Sequence, residues 1–92
     1  MNKLQQLKHA KDFLRKVVNY RKLLQRKGKS SLSSDFVRTE TANIDYALPK
    51  LVSYDEIQKY IERKETVIRY LIPTNKKKWY DELRKIRETQ LN

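Results

Sequence analysis

Apolar side chains recur every three or four positions through the first 27 residues: Leu4, Leu7, Ala10, Phe13, Leu14, Val17, Tyr20 and Leu24. At 100° per residue this spacing keeps them in one stripe, the signature of an amphipathic helix rather than of a strand. It predicts one long helix over residues 3–27. Both ends carry their own signals. Asn2 followed by Gln5 has the form of a capping box, in which each side chain satisfies the other residue's backbone N–H. Gly28, the single glycine of the chain, stands where a C-terminal cap belongs. Lys22, Arg26 and Lys27 occupy the last turns, where cations suit the negative end of the helix dipole.

Residues 28–34, Gly-Lys-Ser-Ser-Leu-Ser-Ser, read as a flexible polar loop. Beyond it Phe36, Val37, Thr41, Ile44 and Leu48 approximate helical spacing and predict a short helix over 36–48. Thr39 and Thr41 weaken it through their stiff side chains, and Pro49 ends it. Ser53 and Glu56 form a second capping box, with Val52 and Ile57 spaced to close a hydrophobic staple. Tyr54, Ile57, Ile61, Ile68 and Leu71 then predict a helix over 54–72, stopped by Pro73. Thr74 or Asn75 caps a last helix over 76–90, which turns Trp79, Leu83 and Ile86 to the core and pairs Asp81 with Lys85 on its wet side. No strand pair or hairpin turn interrupts the series. The expected fold is all-α, three to four helices in a small bundle or orthogonal array, as a single domain over residues 1–92.

Charge divides the chain differently. The formal net charge is +11, and residues 1–29 hold ten Lys and Arg against the one acid Asp12. Residues 30–72 are near neutral, with six bases and seven acids, and residues 73–92 return to a net +3. Bases gathered at both ends around a balanced middle imply a surface committed to a polyanion. In helical projection Lys8, Lys11, Arg15, Lys22 and Arg26 fall on one side of the first helix, opposite Ala10, Phe13, Val17 and Leu24. Lys27 and Lys29 continue them. From Lys8 to Arg26 the row runs about 27 Å at 1.5 Å per residue, the scale on which a protein neutralises several phosphates and releases their counterions. A second cluster, Lys76-Lys77-Lys78, opens the last helix and is followed by Trp79 and Tyr80. Three lysines in a first turn oppose the helix dipole, a conflict that a phosphate there would relieve. Tryptophan and tyrosine at that point stack on bases in single-strand binders, although the spacing of Trp79, Leu83 and Ile86 first assigns Trp79 to the core. The break at Pro73–Asn75 has the outline of a helix-turn-helix. With no Asn, Gln or Arg in the following first turn, contact through shape and phosphate is expected over base readout.

Several classes are set aside. The chain has no cysteine, hence no disulfide or thiolate metal site. His9 is the lone histidine and lacks a carboxylate pair at ligand spacing. No serine–base arrangement, carboxylate dyad or phosphate-binding glycine loop is present, so neither catalysis nor a metal or other cofactor is expected. No apolar run approaches the roughly 18 residues of a membrane span. The first helix is basic and amphipathic, but Phe13 is its one strong insertion residue, which argues against membrane binding. It has the amphipathic, acid-poor character of a mitochondrial transit peptide, but its bases are mainly lysine. Cytoplasmic residence is therefore expected.

The tract Asn19-Tyr20-Arg21-Lys22-Leu23-Leu24 is similar to the L-Y-R-x-L-L tract of LYR-motif proteins, with Asn19 in place of the leading leucine. These are small, basic, three-helix mitochondrial adaptors that bind acyl carrier protein and help assemble iron–sulfur or respiratory complexes. The resemblance supplies an alternative, an adaptor or assembly factor docking its basic amphipathic helix on an acidic partner protein within a larger complex. The primary expectation is an accessory or regulatory factor that binds nucleic acid through its phosphates.

Overall fold

The computed structural model describes residues 2–27 and 35–89, and among them every regular element is helical. Five α-helices follow in order: α1 Lys3–Arg26, α2 Asp35–Ala47, α3 Tyr54–Arg63, α4 Glu65–Leu71 and α5 Lys77–Glu88. The fold is all-α as expected, with one helix more than the spacing suggested. No helix among the described residues is long and apolar enough to cross a membrane.

The start of α1 forms as its sequence dictates. Asn2 Oδ1 accepts from the Gln5 backbone N–H at 2.8 Å and Gln5 Oε1 accepts from Asn2 N–H at 3.0 Å, closing the reciprocal box. At the other end Lys27 N–H donates to Leu23 O at 3.1 Å; the expected glycine cap at Gly28 and the loop 28–34 lie outside the described residues. Most of the apolar stripe reaches the core, with Ala10, Phe13, Leu14 and Val17 essentially inaccessible. Leu4 does not, remaining 75% exposed. Val18 and Arg21, which the stripe omitted, are buried.

The short helix expected over 36–48 forms as α2, and Pro49 does not end it abruptly. It sits inside one turn of 3₁₀ helix, Leu48–Lys50, that follows directly on α2; lacking an N–H, the proline cannot extend the α-helical ladder, and α2 gives way to the tighter turn there. At the start of α3, Ser53 Oγ accepts from Glu56 N–H at 3.2 Å. The Glu56 carboxylate takes the N–H of Val52, at 3.2 Å, rather than that of Ser53. The staple does not close: Ile57 is fully buried but Val52 is 68% exposed, and Leu51 is the residue that anchors the incoming chain in the core.

The predicted helix 54–72 is two helices. Its backbone departs from helical values at Lys64, φ −107° and ψ 14°. The change of direction lets α3 pack on α1 and α5 while α4 packs on α2. A straight helix would be held to one set of neighbours, so tertiary packing overrides a period that runs unbroken through the break. The last helix begins at Lys77, with Lys76 as its uncapped N-terminal boundary. Thr74 and Asn75 instead lie inside a turn closed by Lys76 N–H donating to Pro73 O at 3.0 Å. Asp81 pairs with Arg84 at 3.1 Å, one residue short of Lys85.

All five helices contribute to one core, with α1 against α2, α3 and α5. Phe13, Leu14, Ile44, Ile57, Ile61, Ile68, Leu71 and Leu83 are its largest fully buried side chains. Truncating any one of them to alanine costs on the order of 2–5 kcal/mol.

Candidate nucleic-acid interface

Two contacts fix how the basic ends of the chain meet. Lys16 Nζ binds both carboxylate oxygens of Glu82, at 3.1 and 3.2 Å, and one turn further along α1 the Tyr20 ring meets Trp79 edge-on, 5.7 Å between centroids. The α1 partners ascend while the α5 partners descend, so the two helices are antiparallel. The opening residues of α5, Lys76–Lys78, therefore lie beside the C-terminal third of α1. Arg26 is only about 9 Å further along the axis than Tyr20 at the helical rise. Lys22, Arg26 and Lys27 thus share one end of the molecule with Lys76, Lys77 and Lys78.

A polar junction ties α4 to α1 and α5 at that end. The last carbonyls of a helix have no intrahelical donor, and at α4 two neighbouring helices supply them. Arg21 of α1 donates from Nε to Leu71 O at 2.7 Å and from Nη2 to Tyr70 O at 3.3 Å. Tyr80 of α5 donates its hydroxyl to Ile72 O at 2.9 Å, with Arg69 O more distant at 3.4 Å. Arg21 is 8% exposed. Burial pushes its guanidinium below the usual arginine range, against the opposing influence of the phenols of Tyr20, Tyr70 and Tyr80. The signal for Arg21 was present in the sequence, since it lies four residues after Val17 and three after Val18, on the apolar side of α1.

The acids of the fold then sort the candidate cations. Arg15 pairs with Asp12 at 3.0 Å and Lys22 with Asp45 of α2 at 2.5 Å, so the row Lys8, Lys11, Arg15, Lys22, Arg26 is interrupted twice. Among the described residues no acid pairs with Lys8, Lys11, Arg26, Lys27, Lys76, Lys77 or Lys78. Lys29 lies outside the described residues. Lys8 and Lys11 sit near the start of α1, remote from the rest. The remaining five, Arg26, Lys27 and Lys76–Lys78, are all exposed and all belong to the end where α1 finishes and α5 begins. Asn19, Lys22, Gln25 and Arg26 line a shallow depression on the outer face of α1 there.

The two aromatics of the Lys-Lys-Lys-Trp-Tyr tract separate. Tyr80 is held by the α4 carbonyls, whereas Trp79 is partly buried against the core, with the ammonium groups of Lys16 and Lys76 at 5.3 and 5.8 Å from its ring centroid. His9 is exposed. No group of three or more His, Cys, Asp or Glu able to hold a metal ion occurs among the described residues. In the tract that resembles the LYR motif, Tyr20 and Arg21 face inward, toward Trp79 and the end of α4, and the described residues form five α-helices where the resemblance implies three.

No protein family, no curated protein and no solved structure matches this chain.

Proposed function

We propose that this protein binds nucleic acid through the phosphate backbone, as an accessory or regulatory factor with little sequence readout, and that the cationic end formed by Arg26, Lys27 and Lys76–Lys78 makes the contact. One observation carries the reading: five exposed cations from two distant stretches of chain lie toward the same end of the molecule, and none has an acid partner among the described residues. Elsewhere among the described residues Arg15, Lys16, Lys22, Arg38, Lys59, Lys64, Arg69, Arg84 and Arg87 pair with acids, whereas Lys8 and Lys11 do not. Uncompensated like charges repel one another, and polyanion binding removes that repulsion while releasing condensed counterions. Lys8, Lys11 and the paired Arg15 and Lys22 extend the positive field along α1 as a weaker approach surface. Lysines dominate the cluster, and lysine is a point charge rather than a bidentate fork, which favours phosphate over base edges.

The test is a titration of labelled duplex and labelled single strand, followed by anisotropy over a range of salt concentrations. Three to five phosphate contacts predict a log–log slope of about −3 to −4.5 on duplex. Binding that is undetectable at low salt, or insensitive to salt, rejects the proposal.

A further inference from the structure

We infer that Trp79 is a stacking position for one unpaired base of a single-stranded nucleic acid, an inference that rests on the phosphate-binding reading above and specifies its ligand. Trp79 is the single tryptophan of the chain and is only partly buried, at the first turn of α5. Part of the indole packs against the core, and Tyr20 meets it at an interplanar angle of 86°, which fixes its orientation. The two ammonium groups over the ring are not equivalent. Lys16 is tied to both oxygens of Glu82, whereas Lys76, 5.8 Å from the centroid, has no acid partner among the described residues.

Lys76 is therefore an exchangeable cover. A backbone phosphate drawn to Lys76, Lys77 and Lys78 is a better partner for its ammonium than the face of an indole is, because a charge-assisted contact to a phosphate oxygen exceeds an exposed cation–π contact. When Lys76 turns to the phosphate, indole surface is uncovered beside the nucleotide that carries it. A base in a duplex is already stacked and paired, and reaches such a position only by being flipped out. An unpaired base meets no such cost. Tyr80 is partly buried with its hydroxyl held on Ile72 O, and the inference is confined to one base at Trp79.

The experiment titrates the full chain at low salt with an oligodeoxyadenylate and with an abasic strand carrying the same number of phosphates. Anisotropy of the labelled strand and selectively excited tryptophan fluorescence are read together. The adenylate is expected to bind on the order of tenfold tighter than the abasic strand and to quench the indole, while the abasic strand leaves emission near its free value. Equal affinities with equal fluorescence responses overturn the stacking position and leave phosphate binding standing. If neither strand binds, the functional proposal and this inference fall together.

Discussion

Along α3 and α4, Lys59 faces Asp55 at 3.2 Å, Arg69 and Arg87 share Glu65 at 3.8 and 2.8 Å, and Lys64 reaches Glu40 of α2 at 3.7 Å. The carboxylate bond to Glu65 holds the Arg87 guanidinium above its ordinary pKa. At the opposite extreme, Arg26, Lys27 and Lys76–Lys78 have no carboxylate in any ion pair among the described residues. Both regions are helical, wet and rich in lysine and arginine. What separates them is where the fold sends its acids. Exposed pairs contribute little to stability, typically below about 1 kcal/mol each, so the contrast says little about how the fold is held together. It concerns the surface field: one region presents a near-neutral face and the other a concentrated positive one.

The sharpest way to probe that contrast is to compare two arginines of α1 that lie five residues apart. Arg21 is buried on the α4 carbonyls and Arg26 is exposed. Arg21→Ala strips charged donors from Leu71 O and Tyr70 O and opens the α1–α4 contact. A loss of about 2–4 kcal/mol of unfolding free energy is expected in urea denaturation. Arg21→Lys recovers only part of it, because an ammonium lacks the planar fork. Arg26→Ala is expected to change stability by less than about 0.5 kcal/mol while weakening binding to nucleic acid. If the two substitutions have equal effects on stability, the division of α1 into a structural and a binding arginine is wrong.

A smaller effect is expected from Lys76, Lys77 and Lys78 changed together to Gln. The backbone of α5 stays intact, since the removed charges oppose its dipole, and folding should be unaffected or slightly favoured. Affinity for a duplex at low salt is expected to drop by one to two orders of magnitude, with the salt slope reduced by about 2–3. The matching triple on the compensated side, Lys59, Lys64 and Arg69 to Gln, is expected to leave the slope unchanged. A slope equally reduced by both triples would mean that net charge, and not the end cluster, governs binding.

How much of this was legible in the sequence depends on which forces decide each element. The caps at Asn2 and Ser53 and the buried face of α1 follow from local hydrogen bonding and a 3.6-residue period, and both could be read directly. The bend at Lys64 could not, because no proline or glycine marks it and Ile61 and Ile68 keep period across it; only the different neighbours of α3 and α4 explain it. The basic row was legible as a projection, but its neutralisation at Lys22 depends on Asp45, which lies 23 residues away and on another helix. The most informative feature of the candidate site, the placement of Arg26 and Lys27 at the same end of the molecule as Lys76–Lys78, rests on the antiparallel register of α1 and α5. Helical period carries no information about that register. Two residues of the stripe through which an adaptor would dock, Leu14 and Val17, are fully buried in the protein's own core, whereas Leu4 is exposed.

The smallest expected effect belongs to the compensated side and depends on pH. Tyr60 is buried in α3. Burial raises its pKa above the ordinary tyrosine value, Glu40 on α2 raises it further, and the Arg63 guanidinium, 5.7 Å from the ring centroid, works in the other direction. Tyrosine is neutral when protonated, so a raised pKa means that the folded state holds the proton more tightly than the unfolded chain does. Below about pH 10, the ordinary value, both states are protonated and the contribution to stability is fully present. Above it the unfolded chain releases the proton first, and that contribution is lost as pH rises toward the folded-state pKa. Urea midpoints measured from pH 8 to pH 11 should therefore fall more steeply for the native chain than for Tyr60→Phe, which has no proton to lose. Lysines titrate in the same range in both proteins, so the difference between the two curves, and not either curve alone, isolates Tyr60. Parallel curves would show that Tyr60 ionises as readily inside the fold as outside it. The packing around Tyr60 would then be looser than the burial of its ring implies.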